Sequence, residues 1–250
     1  MEKRFGCAMD IGELMLVSGA EIRRVEESVS RMCYAFGATR VDVFIITSSM
    51  VVTVHTEDGA VYTQTRRVTS LTTDYEKLHR LNALSRKICE GSVSVQEIEE
   101  TVSTIRQIKK VPLWLEIICY AIIAGAFAIF FGGALVDAAA AMVVGIVARL
   151  CLFVAELVIT NKIFGKFFST IVITVLAFLS VKLGWVATPD NIIIGNIMAL
   201  IPGIGLTNAI RDLFTGDSIA GLLRSIEAVL AALAIAAGYF LVVLLGGFAV

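Results

Sequence analysis

The pattern of hydrophobic and polar positions changes abruptly near residue 110. Before that point apolar residues alternate with polar ones at helix or strand spacing, whereas after it apolar runs of about 20 residues follow one another. A run of about 20 apolar residues is what a helix needs to cross a bilayer. The pattern therefore predicts an N-terminal α+β domain over residues 1–110 and a helical transmembrane domain over residues 111–250.

Within the first 110 residues the periodicity predicts helix, strands and then helix again. Apolar residues recur at helical spacing from Ile11 to Phe36, and Gly37 is a plausible helix stop. Two further helices are predicted over about 74–89 and 95–109, the second capped by Ser94 with Glu97 three residues on. Between Phe36 and the first of these two helices lie three β-branched runs, 41–47, 50–55 and 61–68, of which the last two are joined by a turn at Glu57-Asp58-Gly59.

Five apolar segments follow, and they predict an α-helical membrane protein with about five transmembrane helices. Their approximate bounds are 111–131, 137–159, 163–181, 191–206 and 219–245. The fourth segment is short for a full crossing, and Pro202, Gly203 and Gly205 interrupt it. Five crossings use nearly all of the 140 residues, which leaves only short loops.

The distribution of charge supports this division. Of the 43 Lys, Arg, Asp and Glu residues, 30 lie in the first 110 positions and 13 in the remaining 140, too few to solvate a globular surface of that size. The formal net charge is −1. These numbers exclude a wholly soluble enzyme, a disordered chain and a nucleic-acid binder driven by net charge.

The few basic residues of the second domain predict its orientation. Those that flank the predicted spans lie mostly on one side: Arg106, Lys109, Lys110, Lys162, Lys166 and Arg211. Lys182 alone lies on the other. Because basic residues concentrate on the cytoplasmic side, and the N-terminus has no apolar signal-peptide core, we expect a multi-pass protein of the cell (inner) membrane with a cytoplasmic N-terminal domain. Five crossings place the C-terminus outside, whereas a re-entrant fourth segment would place it inside.

Ionisable residues inside the predicted spans are candidates for function, because a charge in lipid is costly. The second span contains Asp137, Arg149 and Glu156, and the fifth begins with Arg224 and Glu227. Each of these carboxylates could carry a proton. Alternatively, Asp137 and Glu156 lie at the two membrane interfaces, and Glu227 forms a structural ion pair with Arg224.

The interrupted fourth segment carries the strongest local signal. After its proline and glycines, Thr207, Asn208, Arg211 and Asp212 occur within six positions. Broken helices recur in transporters as sites for small anions, so this set is a candidate solute-binding site in which Arg211 pairs with a carboxylate. The alternative is a cytoplasmic loop and interfacial helix, with Arg211 as a topology anchor.

Other chemistry has little support. The five cysteines form no CxxC motif, the two histidines lie far apart, and no spacing predicts a metal site or a cofactor. Ser48, Ser49 and His55 could be combined into a hydrolase, but no nucleophile elbow accompanies them. We therefore expect no catalytic residues.

Two stretches resemble the signatures of the threonine/serine exporter family. The first is Leu16-Val-Ser-Gly-Ala20 with Arg24-Val-Glu26 and Gly37, and the second runs from Pro202-Gly203 through Leu206-Thr-Asn-Ala-Ile-Arg-Asp-Leu213 to Gly216-Asp217, Gly221, Arg224 and Glu227-Ala228. The resemblance implies a proton-motive-force-dependent exporter of small amino acids, and paired relatives are associated with succinate export. Full-length members have about ten spans, so this chain resembles their N-terminal half, which implies a second small membrane subunit, a homo-oligomer or both.

The prediction is thus a subunit of a secondary transporter that exports a threonine/serine-like amino acid or a dicarboxylate. The first rival is a membrane scaffold or sensor whose N-terminal domain binds a partner. The second is a membrane-anchored hydrolase.

Overall fold

The structure is a computed structural model that describes residues 1–109, 111–159 and 161–246. It divides into two compact units. The first unit contains residues 1–109 together with 206–225, and the second contains the described residues between 111 and 205 and those from 226 to 246. Residues 206–225, which the hydrophobic pattern places in the transmembrane part, thus belong with the N-terminal fold. Lys110, at the predicted domain boundary, lies outside the described residues.

The first unit is built around a small antiparallel sheet and its flanking helices. Its elements are α1 (Glu2–Val17), α2 (Ile22–Ala35), β1 (Ala38–Ile46), β2 (Ser49–Thr56), β3 (Val61–Arg67), α3 (Tyr75–Cys89) and α4 (Val95–Arg106). The strands pair in the order β1-β2-β3, and the predicted hairpin joins β2 to β3, with His55 opposite Val61. Gly59, at the predicted turn, has φ +80°. The three strands, the hairpin and the last two helices are confirmed.

The single helix predicted from Ile11 to Phe36 is wrong, because the chain forms two helices there. Gly19 has φ +94°, which a residue with a side chain rarely adopts, and it ends the first helix. A Cβ at Gly19 would lie 2.8 Å from the carbonyl oxygen of Thr72, so close packing also requires glycine there. Gly37, also at φ +94°, ends α2 as predicted.

One face of each element of the first unit builds a shared apolar core. The largest fully buried side chains of this unit come from both N-terminal helices, the middle strand and the last two helices: Phe5, Met9, Ile11, Met15, Leu16, Ile22, Met32, Met50, Leu81, Ile98 and Ile105. The predicted cap of α4 is present, since Ser94 Oγ accepts a hydrogen bond from the Glu97 backbone N–H at 3.2 Å. Ala220 also belongs to this core.

The remaining helices are α5 (Leu113–Phe130), α6 (Leu135–Val158), α7 (Lys162–Lys182), α8 (Asp190–Leu200), α9 (Gly203–Thr215) and α10 (Ser218–Leu245). Four of them, α5, α6, α7 and α10, are long and apolar enough to cross a membrane. The pair α8 and α9, joined through a break at Ile201 and Pro202, makes a fifth if it counts as one span. Four to five candidate spans therefore occur among the described residues, in agreement with the sequence.

Small residues allow the helices of the second unit to approach closely. A Cβ at Gly195 of α8 would lie 2.5 Å from the carbonyl oxygen of Ala124 on α5, and one at Gly238 of α10 would lie 2.7 Å from that of Phe167 on α7. Asn196, buried on α8, donates a hydrogen bond across to the Ala141 carbonyl oxygen at 3.2 Å. Glycine and a satisfied buried amide are typical of packed membrane helices.

Candidate functional site

Arg149 lies deep in the second unit and is paired with a carboxylate of the neighbouring helix. The residue is 7% exposed, although it sits in the middle of the apolar helix α6. Its Nε donates to Glu116 Oε2 on α5 at 2.8 Å, and its Nη2 contacts the same oxygen. A guanidinium in such surroundings is stable only when a counter-ion compensates its charge.

Two further side chains complete what we call the Arg149 cluster, which consists of Arg149, Glu116, Glu156 and Tyr120. Glu156 lies two turns along α6, and its Oε2 is 3.7 Å from Arg149 Nη2. The sequence spacing of seven leaves about 10 Å of helical rise between the two backbones, and the two long side chains close that gap. The Arg149 guanidinium carbon lies 5.9 Å from the centre of the Tyr120 ring, within reach of a cation–π interaction.

The third nitrogen of the guanidinium, Nη1, differs from Nε and Nη2 in its surroundings. Arg149 Nη1 is buried and has no hydrogen-bond partner among the described residues. A buried donor without an acceptor costs about 1–3 kcal/mol, and more when it carries charge. The edge of the guanidinium that this nitrogen forms with Nη2 is the edge that can hold a carboxylate through two parallel hydrogen bonds.

A second cluster of charges lies in the first unit, where α9 and the start of α10 contact the N-terminal fold. Asp212 of α9 is 1% exposed, and its Oδ2 lies 3.1 Å from Arg224 Nη1. Arg224 Nη2 also donates to the Ala20 carbonyl oxygen at 3.1 Å. This buried pair therefore ties both helices to the loop that precedes α2.

The four residues of the predicted solute site, Thr207, Asn208, Arg211 and Asp212, all lie on α9 but differ in burial and in their partners. Arg211 is exposed and forms an ion pair with Glu21, at the start of α2. Asp212 is committed to Arg224, whereas Thr207 is exposed and Asn208 is half-buried. The structure brings Arg211 and Asp212 into two separate ion pairs.

The other predicted carboxylates occupy different settings. Asp137 lies at the start of α6, where its Oδ2 accepts a hydrogen bond from the Ala134 backbone N–H at 2.8 Å. The same oxygen lies 3.4 Å from Asn191 Nδ2, which links the start of α6 to α8. Glu227 is exposed on α10, and the partner of Arg224 is Asp212.

Glu116, Tyr120 and Glu21 were not among the site residues predicted from the sequence. Glu116 and Tyr120 are four residues apart on α5 and therefore lie on one helix face. Glu116 is also an acid within an apolar run, a signal that could have marked it. The residues that the structure describes contain no group of three or more His, Cys, Asp or Glu side chains that could hold a metal ion.

Comparison with known proteins gives a consistent result. Residues 7–246 match the family described as "Putative threonine/serine exporter". The chain is 26% identical over 220 residues to the "Probable threonine/serine exporter" of Mycobacterium tuberculosis, covering 86% of this chain and 41% of that protein. It is 24% identical over 247 residues to the "Threonine/serine exporter" of Corynebacterium glutamicum, covering 92% and 49%. The chain thus spans less than half the length of these relatives, and no solved structure matches it.

Proposed function

Because the chain belongs to the threonine/serine exporter family, we propose that it forms part of a secondary transporter that exports a small amino acid. The observation in the structure that carries this proposal is the Arg149 cluster. A buried guanidinium in an apolar helical unit is costly to maintain even with Glu116 and Glu156 as counter-ions, and a helix that only anchors a domain does not need one. A transporter that binds a charged cargo needs a charged group of this kind.

The transport pathway, in this proposal, also needs a second membrane unit. Relatives named as exporters are more than twice as long as the part that this chain matches. A separate small membrane subunit, a second copy of this chain or both would supply the remaining helices. Exposed small residues on α10, among them Ala232 and Ala237, would permit close packing against such a unit.

We place the first unit in the cytoplasm and the protein in the cell membrane. The support is the distribution of basic residues in the sequence, which favours the side of the N-terminal fold. In this orientation Thr207, Asn208 and Arg211 form part of a surface that the solute meets on the cytoplasmic side. Binding there requires the Arg211–Glu21 pair to open, and Asp212 acts through its pair with Arg224.

We further propose that the proton motive force drives export. Four side chains are the candidates for charge movement: Asp137, Arg149, Glu156 and Glu227. Glu156 is the strongest of the three carboxylates, because it is exposed and contacts Arg149 at 3.7 Å. A proton on Glu156 would weaken its attraction to Arg149 and thereby couple protonation to the state of the cluster.

An efflux measurement in the native cells tests the proposed function, because every partner of the chain is then present. Cells lacking the chain are loaded with threonine, serine or succinate, and the initial rate of efflux is compared with that after the chain is restored. We expect restoration for threonine and serine. Unchanged rates for all three solutes, at normal membrane abundance of the chain, would favour a scaffold or sensor instead.

The same cells test the individual site residues. Arg211→Ala and Glu227→Gln are compared with the wild-type chain at equal membrane abundance. We expect each substitution to lower the initial rate of threonine efflux. An unchanged rate would remove that residue from the proposed site without affecting the assignment of the transporter.

A further inference from the structure

We propose that the Arg149 cluster is the binding site for the α-amino-acid headgroup, with Arg149 binding the carboxylate and Glu116 and Glu156 binding the ammonium group. This inference rests on the proposed function and deepens it, because it selects zwitterionic amino acids over dicarboxylates.

The carboxylate position follows from the geometry of the guanidinium. Glu116 accepts from the edge of Arg149 formed by Nε and Nη2, at 2.8 Å from Nε. The other edge has one buried nitrogen, Nη1, for which the described residues provide no acceptor. A cargo carboxylate at this edge would complete the hydrogen bonds of the guanidinium in the bidentate arrangement that arginine favours.

The ammonium position follows from the carboxylates. Glu116 and Glu156 both lie within ion-pair distance of Arg149 Nη2, and their side chains are 31% and 58% exposed. Each carboxylate therefore has an oxygen that can accept a further hydrogen bond. The ammonium and carboxylate groups of an α-amino acid are joined through one carbon atom, so a cargo bound to Arg149 holds its ammonium group beside these acceptors.

The charge of the cluster discriminates between the two solute classes. With all three groups ionised the cluster carries one positive and two negative charges. A zwitterion adds no net charge, and its ammonium group is attracted by the excess carboxylate. A dicarboxylate adds two negative charges to a site that is already negative, which is unfavourable because like charges repel one another.

A competition measurement tests the site. Inverted membrane vesicles from the native cells accumulate labelled threonine, and unlabelled compounds compete with it. Serine retains both charged groups, threoninol lacks the carboxylate, 3-hydroxybutyrate lacks the ammonium group, and succinate is a dicarboxylate. We expect serine to compete at least about tenfold better than each of the other three, since loss of one charge-assisted contact is worth about that factor.

Substitutions connect this selectivity to Arg149. In Arg149→Gln we expect the preference for serine over threoninol to fall toward one, and in Arg149→Lys to be partly retained. Lys182→Gln, which removes an exposed basic residue from the same unit, is the matched control and should leave the preference intact. Glu116→Gln should reduce the preference for serine over 3-hydroxybutyrate, and it provides a second test if Arg149→Gln does not reach the membrane.

These outcomes distinguish a failure of the proposed headgroup site from a failure of the proposed transporter function. Threonine transport that succinate inhibits as well as serine does would overturn the headgroup site and leave the transporter in place. The same holds if Arg149→Gln and Glu116→Gln both transport threonine with unchanged selectivity. Wild-type vesicles without any threonine transport would overturn the proposed function and this site with it.

Discussion

At the scale of single residues, the two buried arginines differ in how their charge is compensated. Both are 7% exposed. Arg224 has a buried carboxylate, Asp212, and a backbone carbonyl oxygen as partners. Glu116 and Glu156 both lie near Nη2 of Arg149, whereas no described residue provides an acceptor for its Nη1. Asp212 Oδ2 also makes no hydrogen bond, but both terminal nitrogens of Arg224 have an oxygen 3.1 Å away, whereas Nη1 of Arg149 has no such partner among the described residues. The arrangement at Arg224 suits a structural contact, and that at Arg149 suits a group that binds a further ligand.

The Asp212–Arg224 pair predicts a large stability effect. Arg224→Gln leaves a carboxylate buried without its counter-ion, which costs about 3–5 kcal/mol of unfolding free energy. We expect a markedly lower thermal unfolding temperature for the purified full chain in detergent.

The exposed Arg23–Glu27 pair, with side chains 62% and 51% exposed, supplies the control for that substitution. Arg23→Gln should change the unfolding free energy by less than about 1 kcal/mol. Equal effects of the two substitutions would show that the Asp212–Arg224 pair is not buried as described.

The raised pKa of Glu26 implies that the stability of the folded chain depends on pH. Burial, and then the nearby carboxylate of Asp217, raise the pKa of Glu26 above its ordinary 4.5, while a hydrogen bond from the Ile45 backbone N–H opposes them. Because the pKa is higher in the folded state, the stabilising contribution of the protonated group is complete below pH 4.5 and is lost as the pH rises through the folded-state pKa. Glu26→Gln should therefore gain stability relative to wild type between pH 4 and pH 7.

The unfolding temperatures of the wild-type chain and of Glu26→Gln at these two pH values measure this effect. Glu27→Gln removes an exposed carboxylate from the same helix and corrects for the change in overall charge. A difference between Glu26→Gln and wild type that stays constant with pH would contradict the account.

At the scale of elements, two glycines determine how the helices of the first unit meet. Gly19 separates α1 from α2, as its positive φ requires. Gly221 of α10 faces α9 so closely that a Cβ there would lie 2.8 Å from the Leu213 backbone nitrogen and 2.9 Å from the Ala209 carbonyl oxygen. Both contacts are with backbone atoms, which cannot move aside as a flexible side chain can.

Gly221→Ala should consequently separate α9 from α10, although alanine is the better helix former. We expect a loss of about 1–3 kcal/mol of unfolding free energy from overpacking. Gly205→Ala is the matched control, because its Cβ would meet only Pro202 at an ordinary 3.8 Å. Unfolding of the two full-chain variants in detergent measures the difference, and similar stability of both would contradict the close approach.

The cysteines of α2 and α3 test which helix faces are buried. Cys33 is buried in the core of the first unit, and burial raises the pKa of its thiol to about 12. Cys89 is exposed at the end of α3. Since the thiolate is the reactive form, a variant that keeps only Cys33 should react with a soluble maleimide at pH 8 far more slowly than one that keeps only Cys89. Comparable rates would show that α2 does not present this face to the core.

At the scale of the whole molecule, local sequence patterns predict the helices and strands better than they predict which of these elements pack together. Apolar periodicity, the turn at Gly59 and the cap at Ser94 each depend on residues within a few positions, and the structure contains all three. The break at Gly19 is harder to predict, because the apolar spacing on either side of it is continuous. A positive φ and the contact with Thr72 distinguish this glycine only in the folded chain.

The candidate site shows even more clearly that local patterns do not predict which elements contact one another. Arg149 and Glu156 could be identified because they are charges in an apolar run. Glu116 pairs with Arg149 from 33 positions away, and Glu21 pairs with Arg211 from 190 positions away. Such pairings depend on the packing of helices that no local pattern specifies. For the same reason the sequence gives no sign that residues 206–225 belong with the N-terminal fold.

The most direct test of the central claim is threonine efflux by the Arg149→Gln chain in the native cells. Cells lacking the chain receive wild type, Arg149→Gln or Lys182→Gln at equal membrane abundance. If Arg149 holds the carboxylate of an exported amino acid, wild type and Lys182→Gln restore threonine efflux and Arg149→Gln lowers its initial rate at least about tenfold. Efflux through Arg149→Gln at the wild-type rate would contradict the account.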